Sequence, residues 1–303
     1  MISLNQLEIF AAVVDCGGFS GAAKRLFMSQ SSVSSHVRAL ENSLGVQLVQ
    51  RTSRGARATY AGEVVLQHAR EVFSVLERLE GQVAQLQGLK TGRLAVAGTT
   101  TLGTYLLPQL VADFSTRVPG VDCQIRVGNE DVVEAWLLQN EVALALCAEE
   151  PKDERLTTTP MFEERLQLIG PADCPLRSRV LNPADIADRR FILREVGSAT
   201  RRQQEAALAA WNLPHVERWE MWGPATLKES VCAGLGLSLI SEHAITRERA
   251  SGLLVVLAIE PPPPRRTVSL VTRAGRALTP PERAFVELVG TLAKWPEPDV
   301  ELT

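Results

Sequence analysis

The sequence predicts a multidomain α+β protein, with a small helical domain at the N-terminus, one long helix, and a two-lobed α/β domain at the C-terminus. Three observations predict this fold class. Apolar residues recur at helical spacing in three short segments of the first 60 residues, a heptad repeat continues to residue 86, and from residue 91 short apolar strands alternate with helices. The chain has 303 residues and is 45% hydrophobic, which is enough to fill two or three cores. We therefore expect domains at residues 1–60, 61–90 and 91–303.

The distribution of charge separates the N-terminal segment from the rest of the chain. The whole sequence has a formal net charge of -3. Residues 1–62 carry six basic side chains against three acidic ones, a net charge of +3, so the remainder carries -6. A basic segment joined to an acidic body is typical of a nucleic-acid-binding module with a separate regulatory domain.

Two short helices with their own start and stop signals open the chain. Ser3 and Gln6 have the spacing of a capping box, and apolar residues follow at helical intervals until Gly17 and Gly18 end the helix. Ser20 is placed to cap a second helix over residues 21–27, whose small side chains permit close packing. The first 27 residues therefore predict a pair of packed helices.

A third helix is predicted from the serine-rich stretch that follows Met28, with Ser29 as its cap. Its apolar residues fall at intervals of four, three and four and form a single stripe, namely Val33, Val37, Leu40 and Leu44. At about 100° per residue, the polar residues share one arc on the other side of the helix. This polar arc consists of Gln30, Ser31, Ser34, Ser35 and Arg38.

Three short helices, a tight turn before the third and a small polar face on the third are typical of a helix-turn-helix. The recognition helix of such a motif enters the major groove of DNA, where Gln pairs with adenine and Ser donates or accepts hydrogen bonds. We therefore predict that the five residues of the polar arc contact double-stranded DNA. The alternative is a solvated amphipathic helix, which would be favoured if the third helix stood alone.

A two-stranded wing is predicted after the third helix. Val46 and Leu48 alternate as in a strand, residues 53–55 have the composition of a turn, and the chain continues through Arg57. Arg51, Arg54 and Arg57 would lie near the tip of this hairpin, and arginine there suits contacts with phosphates or with a narrow minor groove.

The N-terminal motifs resemble those of the LysR-type transcriptional regulators. The matching runs are L-x-x-F-x-x-V from Leu7, F-S-x-A-A-x-x-L from Phe19, S-Q-S-x-V-S from Ser29, and L-E-x-x-L-G-V-x-L from Leu40, at uninterrupted spacing. The resemblance implies a winged helix-turn-helix that binds a pseudo-palindromic promoter site, and RNA polymerase is a further partner that such a regulator would meet. Two positions depart from the family pattern, with Val49 where Phe is usual and Ser35 where Arg is frequent.

A long helix should connect this domain to the rest of the chain. From Thr59, a possible cap, to Lys90 there is no proline, and a 4-3-4-3-4-3 apolar pattern predicts a coiled-coil seam. The seam consists of Val65, Ala69, Val72, Leu76, Leu79, Val83 and Leu86. One interpretation is that the helix packs against the rest of the same chain. The resemblance favours the other interpretation, in which the linker helix pairs with a second copy to give a dimer or, with further contacts, a tetramer.

From residue 91 onward, strands and helices alternate, which predicts an α/β fold with a largely parallel sheet. We expect two lobes, the first about 91–161 with 266–303 and the second about 162–265, joined by crossings near residues 162 and 265. Such lobes leave a cleft, and α/β sheets hold ligands at the carboxyl ends of their strands. The resemblance implies that this is an effector-binding domain similar to periplasmic binding proteins.

Hydroxyl groups follow the strands on both sides of the predicted cleft. Hydroxyls and backbone N–H groups at helix N-termini form an anion site without a formal charge, so a small carboxylate or other oxyanion is the expected effector. By resemblance, the effector site consists of Thr99, Thr100, Thr101, Asn129, Ser198 and Thr200. The alternative is that these side chains are helix caps only. Arg194 and Arg201 are secondary candidates, expected to serve as ion-pair partners.

Other classes of function find less support in the sequence. The five cysteines and four histidines are scattered without metal-ligand spacing, so we expect no metal and no cofactor. No nucleophile motif, P-loop or G-x-G-x-x-G occurs, which argues against an enzyme. A thiol-redox sensor is a third hypothesis, for which the second lobe offers Cys174 and Cys232. Without a secretion signal or an apolar run of about 18 residues, a cytoplasmic protein with no membrane contact is expected.

Overall fold

The structure is a computed structural model that describes residues 2–52, 55–86, 91–292 and 294–295. It divides into two compact units, residues 1–80 and residues 81–303. Throughout the described ranges, every helix is too short or too polar to cross a membrane. The arrangement of a helix-turn-helix, a long helix and a mixed α/β domain confirms the predicted fold class.

The first unit contains the predicted three helices and the wing. Its elements are α1 (Leu4–Asp15), α2 (Phe19–Arg25), α3 (Gln30–Leu44), β1 (Val49–Thr52), β2 (Gly55–Ala58) and the start of α4 (Tyr60–Leu86). The capping box at α1 is present, because Ser3 and Gln6 each accept a hydrogen bond from the other's backbone N–H. Apolar residues of α1, α2 and α3 pack in one core with Leu48 and Leu66. This core fixes α3 against the rest of the unit.

The prediction that Ser20 caps the second helix is wrong. The helix α2 begins two residues earlier than predicted, and its N-cap is Gly18, which makes no side-chain capping bond. The carbonyl oxygen of Gly17 accepts a hydrogen bond from Ala56 N in the wing at 2.9 Å. Because the wing holds the turn at this point, the chain enters the helix directly after Gly18, and Ser20 lies exposed in the first turn.

The helix α4 begins at the predicted cap, since Thr59 Oγ1 accepts a hydrogen bond from Gly62 N at 3.0 Å. Early in the predicted seam, Ala69 is buried and Val65 packs against the core of the first unit. Farther along, Val72, Leu79 and Val83 are 39%, 55% and 44% exposed. Among the described residues, the start of the seam is covered by packing, Leu76 is half-buried, and these three later side chains are exposed. The side chain of Leu86 lies outside the described residues.

The second unit is built on a seven-stranded sheet in the order β10-β6-β11-β5-β3-β4, with β9 paired to β6. A separate parallel pair is formed by β7 and β8. The strands are β3 (Thr91–Thr99), β4 (Gly120–Gly128), β5 (Leu144–Cys147), β6 (Leu156–Pro171), β7 (Phe191–Arg194), β8 (Arg218–Met221), β9 (Ser238–Ser241), β10 (Leu254–Leu257) and β11 (Arg265–Arg273). The helices are α5 (Leu107–Arg117), α6 (Glu130–Leu138), α7 (Ala199–Ala210), α8 (Gly223–Cys232), α9 (Thr246–Ala250) and α10 (Pro280–Gly290).

The expectation of a largely parallel sheet is wrong. Within the seven-stranded sheet only β3 pairs in parallel, with β4 and with β5. The strand β6 is 16 residues long and runs antiparallel to β11, β9 and β10. The strands β6 and β11 connect the two halves of the unit and pair with each other in antiparallel orientation. The sheet is therefore mixed.

Two lobes can be distinguished by their hydrophobic cores. The first lobe packs β3, β5 and β11 against α5 and α10, and the second packs β7 and β9 against α7. The first half of β6 pairs with β11, and its second half pairs with β9 and β10. The helix α4 begins at Tyr60 and continues to Leu86. The predicted limits of the lobes and of the three domains stay predictions.

Candidate functional site

The recognition helix α3 begins and ends as its sequence predicts. Ser29 Oγ accepts a hydrogen bond from Ser32 N at 3.1 Å, which caps the first turn. The apolar stripe faces the core, since Val33, Val37 and Leu40 are buried. Gly45 ends the helix in a left-handed conformation with φ of 68°. The rotation of the helix about its axis is therefore fixed by packing.

The predicted DNA-contacting face of α3 points away from that core. Gln30, Ser31, Ser35 and Arg38 are exposed, and Ser34 is half-buried. Ser31 Oγ lies 2.9 Å from Ser29 Oγ. Because small serines flank the longer Gln30 and Arg38 side chains, a base edge could approach this face closely.

The wing is present as a two-stranded hairpin in which Arg51 pairs with Ala56 in register. Arg57 on the second strand is exposed. The Arg51 side chain and the whole of Arg54 lie outside the described residues. Their predicted contacts with DNA stay predictions.

The ligand pocket of the second unit begins at an irregular turn of helix. Residues Leu102–Leu106, directly after the threonine run, form a π-helix, a rare conformation that is frequent at functional sites. This turn lies against β3 without space for a side chain. A Cβ atom added to Gly98 would stand 2.8 Å from the backbone N and Cα atoms of Gly103. The two glycines therefore allow the close approach that positions Thr99–Thr101.

All six predicted effector-site residues line one pocket. Its lining is completed by Glu130, Ala199 and Arg266, and the cavity between these residues is about 10 Å³. The two hydroxyl clusters meet across it, since Thr101 Oγ1 and Thr200 Oγ1 are 3.3 Å apart. Thr100 Oγ1 also donates to the Gly128 carbonyl at the end of β4, at 3.4 Å. A cavity of this volume holds about one water molecule, so a larger ligand requires the two hydroxyl clusters to move apart.

Most of these six side chains do not cap a helix. Asn129 does cap a helix, because its Oδ1 accepts a hydrogen bond from Val132 N at 3.0 Å. Thr101 and Ser198 stand at N-cap positions but make no capping hydrogen bond with their side chains. Thr101 and Thr200 have each other as partners, and a ligand oxygen could replace that contact.

Arg266, whose charge is paired with that of Glu164, lines the pocket although the sequence analysis did not place it in the site. It is 5% exposed, and its Nε donates to Glu164 Oε1 at 2.8 Å. Ser241 Oγ donates to the other carboxylate oxygen of Glu164 at 2.8 Å. The only sequence signal was the Arg265-Arg266 pair that follows four prolines.

Glu130 is a second residue that the sequence analysis missed. It is 6% exposed, and among the described residues neither of its carboxylate oxygens accepts a hydrogen bond of good geometry. Arg202 approaches Oε2 at 3.2 Å and also forms an ion pair with Glu149. Burial, the larger effect, raises the pKa of Glu130, and the positive charge of Arg202 opposes that shift. The pocket therefore has one buried carboxylate beside its hydroxyls.

The secondary candidates are held in ion pairs. Arg194 is fully buried and pairs with Glu195 at 2.6 Å. Arg201 pairs with Glu205 at 2.7 Å and donates to the Arg194 carbonyl. Neither residue lines the pocket.

The cysteines have the chemistry of buried or partly buried thiols. All five are free, and burial raises the pKa values of Cys123, Cys147 and Cys232. A raised pKa opposes formation of the reactive thiolate. Within the described ranges, no group of three or more His, Cys, Asp and Glu side chains is placed to hold a metal ion.

A winged helix-turn-helix ahead of a two-lobed α/β domain with an interlobe pocket defines a class of ligand-responsive DNA-binding regulators. The chain belongs to the LysR family of transcriptional regulators. Residues 4–63 match the bacterial regulatory helix-turn-helix of the lysR family, and residues 87–294 match the LysR substrate binding domain. The chain is thus a DNA-binding transcriptional regulator with a domain for a small-molecule effector.

Three similar proteins extend over most of the chain or its C-terminal unit. The RuBisCO operon transcriptional regulator of Allochromatium vinosum is 33% identical over 289 residues, which are 95% of this chain and 95% of that protein. A solved full-length OxyR variant from Pseudomonas aeruginosa has a TM-score of 0.73 and 26% identity, over 96% of this chain and 94% of that one. The regulatory domain of CcmR from Synechocystis has a TM-score of 0.57 and 27% identity, over 65% of this chain and 95% of that one.

Proposed function

We propose that the pocket between the lobes binds a small oxyanion as the effector of this regulator. The observation that carries the proposal is the convergence of two hydroxyl clusters with Arg266 on one small pocket. Backbone N–H groups at the N-terminal ends of α6 and α7 add to the positive potential there. The solved CcmR domain is a complex with 2-PG, which supports a small effector at the corresponding domain here.

The DNA site in this proposal consists of the polar arc of α3 and the wing. Gln30, Ser31, Ser34 and Ser35 read base edges, whereas Arg38, Arg51 and Arg54 contact the backbone or the minor groove. The exposed positions on α3 support the first group. Because Ser35 stands where arginine is frequent in the family, the affinity for DNA depends more on the arginines that remain.

The oligomer in this proposal is a dimer through α4, with a tetramer as its higher form. The exposed side chains of Val72, Leu79 and Val83 support pairing of the seam with a second copy. Two winged helix-turn-helix domains related by a twofold axis then bind a pseudo-palindromic promoter. This takes place in the cytoplasm, where RNA polymerase is a further partner. The chain acts as a regulator and not as an enzyme. The relative that regulates a RuBisCO operon supports a carbon-fixation operon as the first target to test.

Effector binding is tested by calorimetry of the full-length protein with 2-PG, inorganic phosphate and small carboxylates. Losing a hydrogen bond to a charged group costs about 1.5–3 kcal/mol, so Thr200→Val should weaken binding about tenfold or more. The control is Thr116→Val on α5, whose hydroxyl bonds only to the carbonyl of Ala112 in its own helix. If no anion binds, or if the two variants behave alike, the pocket is not the effector site.

DNA recognition is tested on duplexes enriched from a random library by the full-length protein. The double substitution Gln30→Ala with Ser34→Ala should reduce affinity for the enriched duplexes about tenfold, since a good base contact contributes about 1–3 kcal/mol of discrimination. It should leave affinity for unrelated DNA unchanged. Ser43→Ala is the matched control, because the Ser43 hydroxyl bonds to Ala39 O in the same helix. An unchanged preference for the enriched duplexes in the double variant would refute these contacts.

A further inference from the structure

The buried carboxylate of Glu130 is unexpected in a pocket for an anion. Glu130 is the first residue of α6 and lines the same pocket as Thr101, Ser198 and Thr200. Two like charges inside a site of low dielectric repel each other strongly, whereas a proton between them turns the repulsion into a hydrogen bond. An anion that fills this pocket beside an ionised Glu130 therefore needs a proton on the oxygen that faces it.

The neighbours of Glu130 do not remove this requirement. Arg202 from α7 approaches only Oε2, and it also forms an ion pair with Glu149, so its charge is shared between two carboxylates. Arg266 from β11 also lines the pocket but forms its ion pair with Glu164. Cys147 on β5 is the remaining titratable group nearby, and burial raises its pKa so that it stays neutral. Oε1 of Glu130 is left without a donor in the described part of the chain.

We propose that Glu130 determines the specificity of the pocket: its carboxylate accepts a hydrogen bond from a protonated oxygen of the bound anion, so the pocket takes phosphate and phosphate monoesters and rejects sulfate. The proposal rests on the proposed function, because it concerns the anion bound at the same site. A phosphate monoester has a second pKa of about 6, so about half of it carries this proton at pH 6. Sulfate carries no proton at this pH, so it would meet an ionised Glu130 as a like charge.

The test compares phosphate, methyl phosphate and sulfate by calorimetry on the full-length protein at about pH 6 and at equal ionic strength. The wild-type protein should bind the two phosphates at least about tenfold more tightly than sulfate, the factor that one charge-assisted hydrogen bond supplies. Raising the pH to about 8 should weaken phosphate binding, since the anion then loses its proton.

The substitution Glu130→Gln removes the acceptor charge and adds an amide donor in the same space. It should bind sulfate more tightly than the wild type does, reduce the preference to within about threefold, and weaken the pH dependence. Asp131→Asn is the matched control, because it makes the same charge change one residue along the helix. The Asp131 side chain is exposed and pairs with Lys152 outside the pocket. The control should keep the wild-type preference.

Three outcomes would overturn the proposal. Wild-type protein that binds sulfate as tightly as phosphate overturns it while leaving the anion site of the proposed function in place, and this comparison needs no variant. An unchanged preference in folded Glu130→Gln protein overturns the role of this residue. Wild-type protein that binds none of the three anions overturns the proposed function together with this inference.

Discussion

Replacing Gly98 with alanine tests the backbone contact that positions the threonine side of the pocket. The new Cβ atom would stand 2.8 Å from the backbone N and Cα of Gly103 and 3.0 Å from Leu107 Cδ1. Ordinary contact begins at 3.4 Å, so the π-helical turn must move by about 0.6 Å. Overpacking of this kind costs about 1–3 kcal/mol, and removal of a glycine from a strand returns about 0.5–1 kcal/mol. We expect the second unit to lose about 1–2 kcal/mol of stability.

Tryptophan fluorescence reports this loss without interference from the first unit. All five tryptophans lie in the second unit, at Trp136, Trp211, Trp219, Trp222 and Trp295. With a urea m-value of about 3 kcal/mol/M, the unfolding midpoint should fall by about 0.3–0.7 M at fixed protein concentration.

The control for Gly98→Ala is the same substitution at Gly290, a helical glycine around which a Cβ would meet nothing within 4 Å. That variant should raise the midpoint, because alanine is the better helix former. A Gly98→Ala protein whose urea midpoint equals or exceeds that of the wild type would refute the reasoning, because the turn would then accommodate the added Cβ atom without strain.

Three further predictions concern stability, assembly and capping. Burial raises the pKa of Glu130, so the folded state holds its proton more tightly, and the stability that this gives is present below the usual pKa of 4.5 and lost as pH rises through the raised value. Urea unfolding across that window should decline more steeply for the wild type than for Glu130→Gln, and parallel curves would contradict the shift. Leu79→Lys, at a seam position that is 55% exposed, should dissociate dimers in sedimentation velocity, and intact dimers would place the interface elsewhere. Ser29→Ala removes the hydrogen bond to Ser32 N and should lower the stability of the first unit by about 1 kcal/mol, measured by far-UV circular dichroism; an unchanged transition would show that the cap contributes nothing.

Local sequence signals predict the N-terminal unit well because most of its contacts are local. The spacing of Val33, Val37 and Leu40 sets which face of α3 is buried, and a cap and a left-handed glycine mark its ends. The exception is Ser20, which has a good capping side chain in the wrong place. The start of α2 is set by a hydrogen bond from the wing, nearly 40 residues later in the chain, and no local pattern carries that information.

The sheet of the second unit is harder to predict for the same reason. The strand β6 extends over Leu156–Pro171 because β11, about 100 residues away, supplies its partner. A largely parallel sheet was expected because helices alternate with strands, but this alternation says nothing about strands that pass between lobes.

The hydroxyl half of the site was predictable and the charged half was not. Threonine and serine after a strand and before a helix mark the carboxyl edge of a sheet. Glu130 in the first turn of a helix looks like an ordinary complement to the helix dipole, and Arg266 looks like any charged residue at the start of a strand. Only the folded chain shows that both are buried and line the same pocket.

The placement of these groups explains how a small anion could act on the regulatory domain. Thr101 belongs to the first lobe and Thr200 to the second, and their contact at 3.3 Å is one neutral hydrogen bond between lobes, worth about 1 kcal/mol. An anion held by two charge-assisted hydrogen bonds to each lobe would gain about 1.5–3 kcal/mol from each bond. A ligand shifts a conformational equilibrium only by its difference in affinity for the two states. The two bonds lost on opening one lobe amount to about 3–6 kcal/mol, which is comparable with the roughly 5.5 kcal/mol that changes a 1:99 population to 99:1. A ligand bound by one lobe alone would have no such difference, so contacts from both lobes are what make the pocket regulatory.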